Sequence, residues 1–243
     1  MARGISGSIV SLRGCAPLSR SERVKVASES GADSHSHSHS HSHLHSGKIR
    51  IWIVGATGFR QGLSKPTGLE LLWQQMRTLS APDVCVLTPM EWDADPKALA
   101  EYIARNSTYD ARVFFYGYSY GVGHFGTRFW RALDDLGIGI PVLVSCDGIR
   151  RKRLLKPLSL RFFRNVVSIP VPGNVGIAYG FVQSNDRLLR GHALKADSAE
   201  TQVHMIDQPG HDHYSIDEST SFHRVALTEA RNLINANHPA NRG

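Results

Sequence analysis

Ala111-Arg112-Val113-Phe114-Phe115-Tyr116-Gly117-Tyr118-Ser119-Tyr120-Gly121 is the stretch from which the rest of the chain can be read. Its first half is an apolar run of β-formers and predicts a buried strand. From Val122 to Leu136 the apolar residues Val122, Phe125, Phe129, Trp130, Leu133 and Leu136 recur at helical spacing, which predicts a helix. Between strand and helix stands G-x-S-x-G. In that setting the pattern describes a nucleophile elbow, a turn so tight that Ser119 takes a strained backbone conformation with its hydroxyl above the sheet. Gly117 and Gly121 are required because a Cβ there would meet the elements packed across the turn. The following helix aims the positive end of its dipole at the place where an oxyanion would form.

The chain has 243 residues, 41% of them hydrophobic, enough for one sizeable core with a tail. No apolar run reaches the ~18–20 residues of a membrane-spanning helix. The N-terminus lacks the continuous apolar block of a secretory signal. Cys15, Cys85 and Cys146 are odd in number, and two lie in apolar runs; small buried thiols in a reducing, cytoplasmic setting are the simplest reading. The net charge of +7 is local. From Arg150 to Arg164 there are seven basic residues and no acidic one, which accounts for the whole excess. That placement argues against a general nucleic-acid surface and for one basic patch near the site, suited to an anionic ligand or lipid surface. Leu154, Leu155, Leu158, Leu160, Phe162 and Phe163 interleave with those charges, so a core-facing helix with a solvated cationic side is the plainer alternative.

Residues 1–47 read as a disordered tail rather than as part of the fold. They are rich in Ser and Gly and end in alternating Ser and His from Ser34 to His43, with too little apolar surface to offset chain entropy. Alternate histidines could hold a borderline divalent metal loosely; a low-complexity linker is the simpler reading, and neither a metal nor a cofactor is assigned. The domain occupies 48–243. Ile49–Val54 is a strand, Gly68–Leu79 a helix, Val84–Leu87 a short strand, and Lys97–Ala104 a helix capped by Asp95-Pro96. Ile140–Cys146, Val166–Val171, Val175–Gln183 and Thr201–Ile206 follow as extended segments, and Glu218–Ala236 as the last helix. The alternation predicts an α/β fold of three layers, a mostly parallel sheet of about six strands with helices on both faces.

In such a sheet, sites gather at the carboxyl ends of the strands. Three polar turns qualify: Ala56-Thr57 after the first strand, Ser184-Asn185-Asp186 after the Val175–Gln183 strand, and Gly210-His211-Asp212-His213 after the last. Asp147-Gly148, after the Ile140–Cys146 strand, supplies a rival acid, and His211 a rival histidine. The order Ser, acid, His is that expected for a hydrolase elbow.

With the Gly117–Gly121 elbow in that order, the chain resembles the α/β-hydrolases over roughly residues 48–238. Ile169-Pro170, Asn174-Val175, Gln183 and His213-Tyr214-Ser215-Ile216-Asp217 are further similar to phage-associated and bacterial members of that superfamily. The resemblance implies Ser119 as nucleophile, His213 as base and Asp186 as the acid. The N–H groups of Tyr120 and of Ala56, or its neighbour Thr57, would form the oxyanion hole, with Thr57 and Tyr118 against the substrate. The implied activity is that of a serine esterase, lipase or thioesterase acting on a small acyl substrate through an acyl-enzyme. The first strand ends Ile53-Val54-Gly55-Ala56, without the His-Gly pair common at this family's oxyanion loop. A hydrolase-fold protein that does no chemistry and serves as a binding or phage-related accessory protein is the alternative.

Overall fold

Strands β1 (Arg50–Ala56) and β3 (Ala111–Tyr118) are apolar at nearly every position, so they need cover on both faces. They occupy the middle of the sheet in a computed structural model that describes residues 49–58, 67–107, 110–150, 168–186 and 189–237. With β2 (Val84–Val86), β4 (Gly139–Cys146), β6 (Val175–Val182) and β8 (Gln202–Asp207) they form a six-stranded sheet of order β2-β1-β3-β4-β6-β8. Every pairing within it is parallel. Two further short strands, β5 (Ile169–Val171) and β7 (Leu194–Ala196), pair with each other in a separate ribbon.

Period-two alternation sorts the strand side chains into two cores. Trp52 and Val54 of β1 and Val113 and Phe115 of β3 face one way, toward Phe125, Phe129 and Trp130. Ile51, Ile53, Phe114 and Tyr116 face the other way, toward Leu69, Leu72 and Phe222. Helices α2 (Pro96–Arg105) and α3 (Thr127–Asp135) cover the first face; α1 (Gly68–Met76) and α4 (Thr220–Asn237) cover the second. The fold is therefore the expected three-layer α/β arrangement.

The helix ends obey local chemistry. Asp95 Oδ1 accepts from the Lys97 and Ala98 amides at 3.0 and 3.2 Å, with Pro96 in the first turn. Thr67 and Glu70 close a capping box on α1. At the end of α3, Gly137 takes a φ of 68°; its amide donates to the Asp134 carbonyl and that of Ile138 to Leu133, both at 2.9 Å, the Schellman pattern. That reversal leaves Leu136 45% exposed rather than inward. Ribbon strand β7 was not expected, because Leu194-Lys195-Ala196 carries no β-branched residue. Among the cysteines, Cys146 is a buried free thiol, whereas Cys85 is disulfide-bonded, so the thiol reading holds for Cys146 alone of these two. The Ser/His-rich tail and Arg151–Arg164 of the basic segment lie outside the described residues. Among the described residues, no helix is long and apolar enough to cross a membrane.

Two glycines set how closely the layers approach the site. A Cβ on Gly121 would lie 2.4 Å from the Ala56 carbonyl oxygen, and one on Gly123 only 1.8 Å from that of Ile149. Backbone cannot yield as a flexible side chain would. Gly123→Ala should therefore lower stability by an amount at or above the ~1–3 kcal/mol usual for overpacking. Gly139→Ala, whose Cβ meets nothing within 4 Å, is the control, and urea unfolding of both variants checks the difference.

Candidate active site

Ser119 follows the last residue of β3 with a φ of 55°, a left-handed conformation rare for a residue with a Cβ. Three amides stabilise the turn by donating to its carbonyl: Val122 at 3.1 Å, Gly123 at 3.2 Å and Ile149 at 3.0 Å. Its own amide donates to the Cys146 carbonyl at 3.0 Å, so the elbow is tied to the end of β4. The helix that begins there is wide over its first turns, a π-helix from Gly121 to Gly126 that continues as α3, a distortion often found at functional sites.

Because Tyr118 is in register with Cys146, the next residues, Ser119 and Asp147, leave adjacent strands at the same level. Asp147 is also left-handed, with a φ of 44°, and is fully buried. His213 arrives on the loop after β8. Its Nε2 lies 3.0 Å from Ser119 Oγ and its Nδ1 2.7 Å from Asp147 Oδ2. Serine, imidazole and carboxylate thus form one buried chain of hydrogen bonds, with Ser119 3% and His213 5% exposed.

The expected acid requires correction. The structure brings Asp147, not Asp186, against His213. Asp186 lies beyond the end of β6, one strand further from the elbow, and its Oδ1 accepts from the Leu189 amide at 3.0 Å in a local turn. Gln183, the first residue after β6, serves the Asp147 carboxylate instead. Its amide donates to Oδ1 at 3.4 Å and its Nε2 to Oδ2 at 3.3 Å. The Gly191 amide adds a second donor to Oδ1 at 2.8 Å, and a Cβ on Gly191 would sit 2.4 Å from that oxygen. His211 is turned away from the serine, its Nδ1 3.1 Å from the Ser215 carbonyl within its own loop.

The other predicted residues divide. Tyr118 sits on the histidine: its hydroxyl donates to the His213 carbonyl at 2.5 Å, and its ring stacks on the imidazole at 5.1 Å and 28°. The Thr57 amide donates to Met90 O at 2.8 Å, which commits it to the β1–Met90 bridge. Ala56 pairs with Gly117 and bridges Met90, so its peptide is built into the sheet end. The residue against Ser119 is Gly58: a Cβ there would lie 2.7 Å from Ser119 Cβ and 3.5 Å from the Tyr120 nitrogen. Sequence reasoning assigned no site role to Gly58 or Gln183, although Gln183 directly follows β6 and Gly58 lies two residues past β1. Tyr120, Trp92 and His124 form a half-buried aromatic group beside the elbow, with ring centroids 5.0 to 5.9 Å apart.

Below the histidine loop lies a buried carboxylate, Asp217, whose Oδ2 accepts from the Leu69 amide at the start of α1 at 3.1 Å. Burial raises its pKa to about 6, with the charge of Glu218 adding and the amide donors of Leu69 and Gly68 opposing. Between about pH 4 and pH 6 the folded chain therefore holds a proton here that the unfolded chain has released, so this group's contribution to stability falls as pH rises through that window. Asp217→Asn should remove that contribution. The variant should gain stability relative to the parent above pH 6, and denaturant unfolding across pH 4–8 measures it.

No protein-family model and no curated protein sequence matches the chain. Solved structures do resemble it. ClbQ from the colibactin NRPS/PKS pathway aligns at 10% identity over 77% of this chain and 98% of its own, with a TM-score of 0.42. The surfactin-cyclising thioesterase domain SrfTE aligns at 13% identity, 76% and 91% coverage and a TM-score of 0.42. An esterase of Pyrobaculum calidifontis aligns at 14% identity, 77% and 76% coverage and a TM-score of 0.43. The parallel sheet, its helices on both faces and the strained elbow after β3 define this chain's architecture as the α/β-hydrolase fold.

Proposed function

We propose that the protein is a serine hydrolase that cleaves an ester or thioester through an acyl-enzyme. The observation that carries the proposal is the continuous arrangement of Ser119 Oγ, His213 and Asp147 at 3.0 and 2.7 Å behind a left-handed elbow. His213 Nε2 takes the Ser119 proton as Oγ bonds to the acyl carbon, and returns it to the departing alcohol or thiol as the acyl–leaving-group bond breaks. Water then attacks the acyl-enzyme with His213 again as base, releasing the acid and free Ser119. Asp147 holds the Nδ1 proton, fixing the tautomer that leaves Nε2 basic, and offsets the imidazolium charge. The Tyr120 amide is one donor to the oxyanion; the second comes from the Ala56–Gly58 turn, where Gly58 stands at the nucleophile.

A fluorophosphonate probe tests the reading. The serine oxygen displaces fluoride from phosphorus, so intact-mass analysis should show one adduct on the parent and none on Ser119→Ala. Absence of an adduct on the parent, together with no turnover of p-nitrophenyl esters or acyl thioesters, would overturn it.

A further inference from the structure

The hydrogen bonds of residues 211–215 leave the catalytic histidine weakly tethered. Asp212 Oδ1 accepts from the Tyr214 amide and from the Ser215 amide and hydroxyl. His211 meets the Ser215 carbonyl, and the Ile216 amide donates to that of Asp212. All of these bonds stay within the loop or its adjoining turns. Among the described residues, only three hydrogen bonds run from 211–215 to the body of the protein. Two are made by the His213 imidazole itself, to Ser119 and Asp147. The third is Tyr118 Oη to the His213 carbonyl.

Side-chain bonds of the imidazole cannot hold the loop while the ring passes a proton back and forth, because they change strength at each step. The Tyr118 bond goes to main chain and does not. Tyr118 is also bonded covalently to Ser119, so it links nucleophile and base through one residue. Its ring lies flat on the imidazole at 5.1 Å, while Tyr214 meets the imidazole edge-on at 5.8 Å. Burial, together with the carboxylates of Asp217 and Asp147, keeps the phenol far above its ordinary pKa, so it remains a donor at all working pH values.

We propose that Tyr118 is a positioning residue that clamps the His213 loop to the elbow, holding Nε2 on Ser119 Oγ through the main chain and the stacked ring. This rests on the serine-hydrolase reading for its catalytic consequence, but not for its structural one. Substrate contact, the role expected of Tyr118 from sequence, would have a different kinetic signature.

Tyr118→Phe removes one oxygen and keeps the stack; Tyr118→Leu removes both. Two readouts apply. The first is proton NMR of the His213 Nδ1–H bonded to Asp147, which reports the geometry whether or not any ester turns over. Its exchange with water should be about tenfold faster in Tyr118→Phe, the scale of one lost hydrogen bond, and faster still in Tyr118→Leu. The second is p-nitrophenyl ester hydrolysis, in which kcat should fall about tenfold in Tyr118→Phe with KM little changed. Unchanged exchange in folded variants, or a rise in KM at constant kcat, overturns the clamp. If exchange responds as expected while the parent neither labels with fluorophosphonate nor turns over ester, the clamp stands and the hydrolase reading fails.

Discussion

Ser119→Ala and His213→Ala are each expected to lower kcat for p-nitrophenyl esters by a factor on the order of 10³ or more, and the double variant should be scarcely worse than either. The two side chains perform one operation. Without Oγ there is no atom to acylate, and without Nε2 the hydroxyl at 3.0 Å keeps its proton. Whichever is lost first removes the covalent route, so the second loss finds little left to remove. What survives is turnover aided by the oxyanion donors and by binding alone. Both substitutions shorten side chains without adding volume, so melting curves should separate loss of chemistry from loss of fold. A Ser119→Ala protein of undiminished activity would refute the assignment.

Asp147→Asn is expected to cost a factor on the order of 10³–10⁴ in kcat, and Asp186→Asn almost nothing. Asparagine tolerates the left-handed backbone that Asp147 adopts at a φ of 44°, so the turn survives. Its oxygen can still accept from the Gly191 and Gln183 amides, which both meet Oδ1. The NH₂ then replaces Oδ2 and points a donor at His213 Nδ1. The ring can satisfy that donor only by moving its own proton to Nε2, the atom that must be empty to deprotonate the serine. At Asp186, Oδ1 accepts from the Leu189 amide, a bond that the asparagine oxygen accepts equally. Steady-state kinetics on the two variants side by side decides between the acids.

That pair of variants also shows where the sequence stops being informative. The elbow could be read because it is local: five consecutive residues, a strand before and a helix after. The helix caps at Asp95 and Gly137 could be read for the same reason. The acid could not, because Asp147 and Asp186 both follow strands and both precede His213. Choosing between them requires knowing that β4 lies beside β3 while β6 is one place removed, which is a property of strand order and not of any short window. Gln183 was visible as a strand-end residue and as part of the resemblance, but not as a partner of Asp147, because that service spans 36 positions. Tyr118 looked like a pocket wall because its partner is a backbone carbonyl 95 residues away, and a carbonyl leaves no trace in residue type. Gly58 was hidden by the missing His-Gly signature, although its position just past β1 was a usable signal.

Strand β8 has a consequence of its own. It pairs on one side only, with β6, and most of its residues are exposed, unlike those of β3 and β4. Edge segments with little buried surface open at lower free energy than the core they border. His213 is carried on the loop that follows this strand, whereas Ser119 and Asp147 leave central strands. The loop that carries the histidine is therefore expected to open at lower free energy than the interior. If the proposed chemistry holds, activity is expected to fade with heat or denaturant before the fold melts, and activity and unfolding curves recorded on the same samples would show the gap.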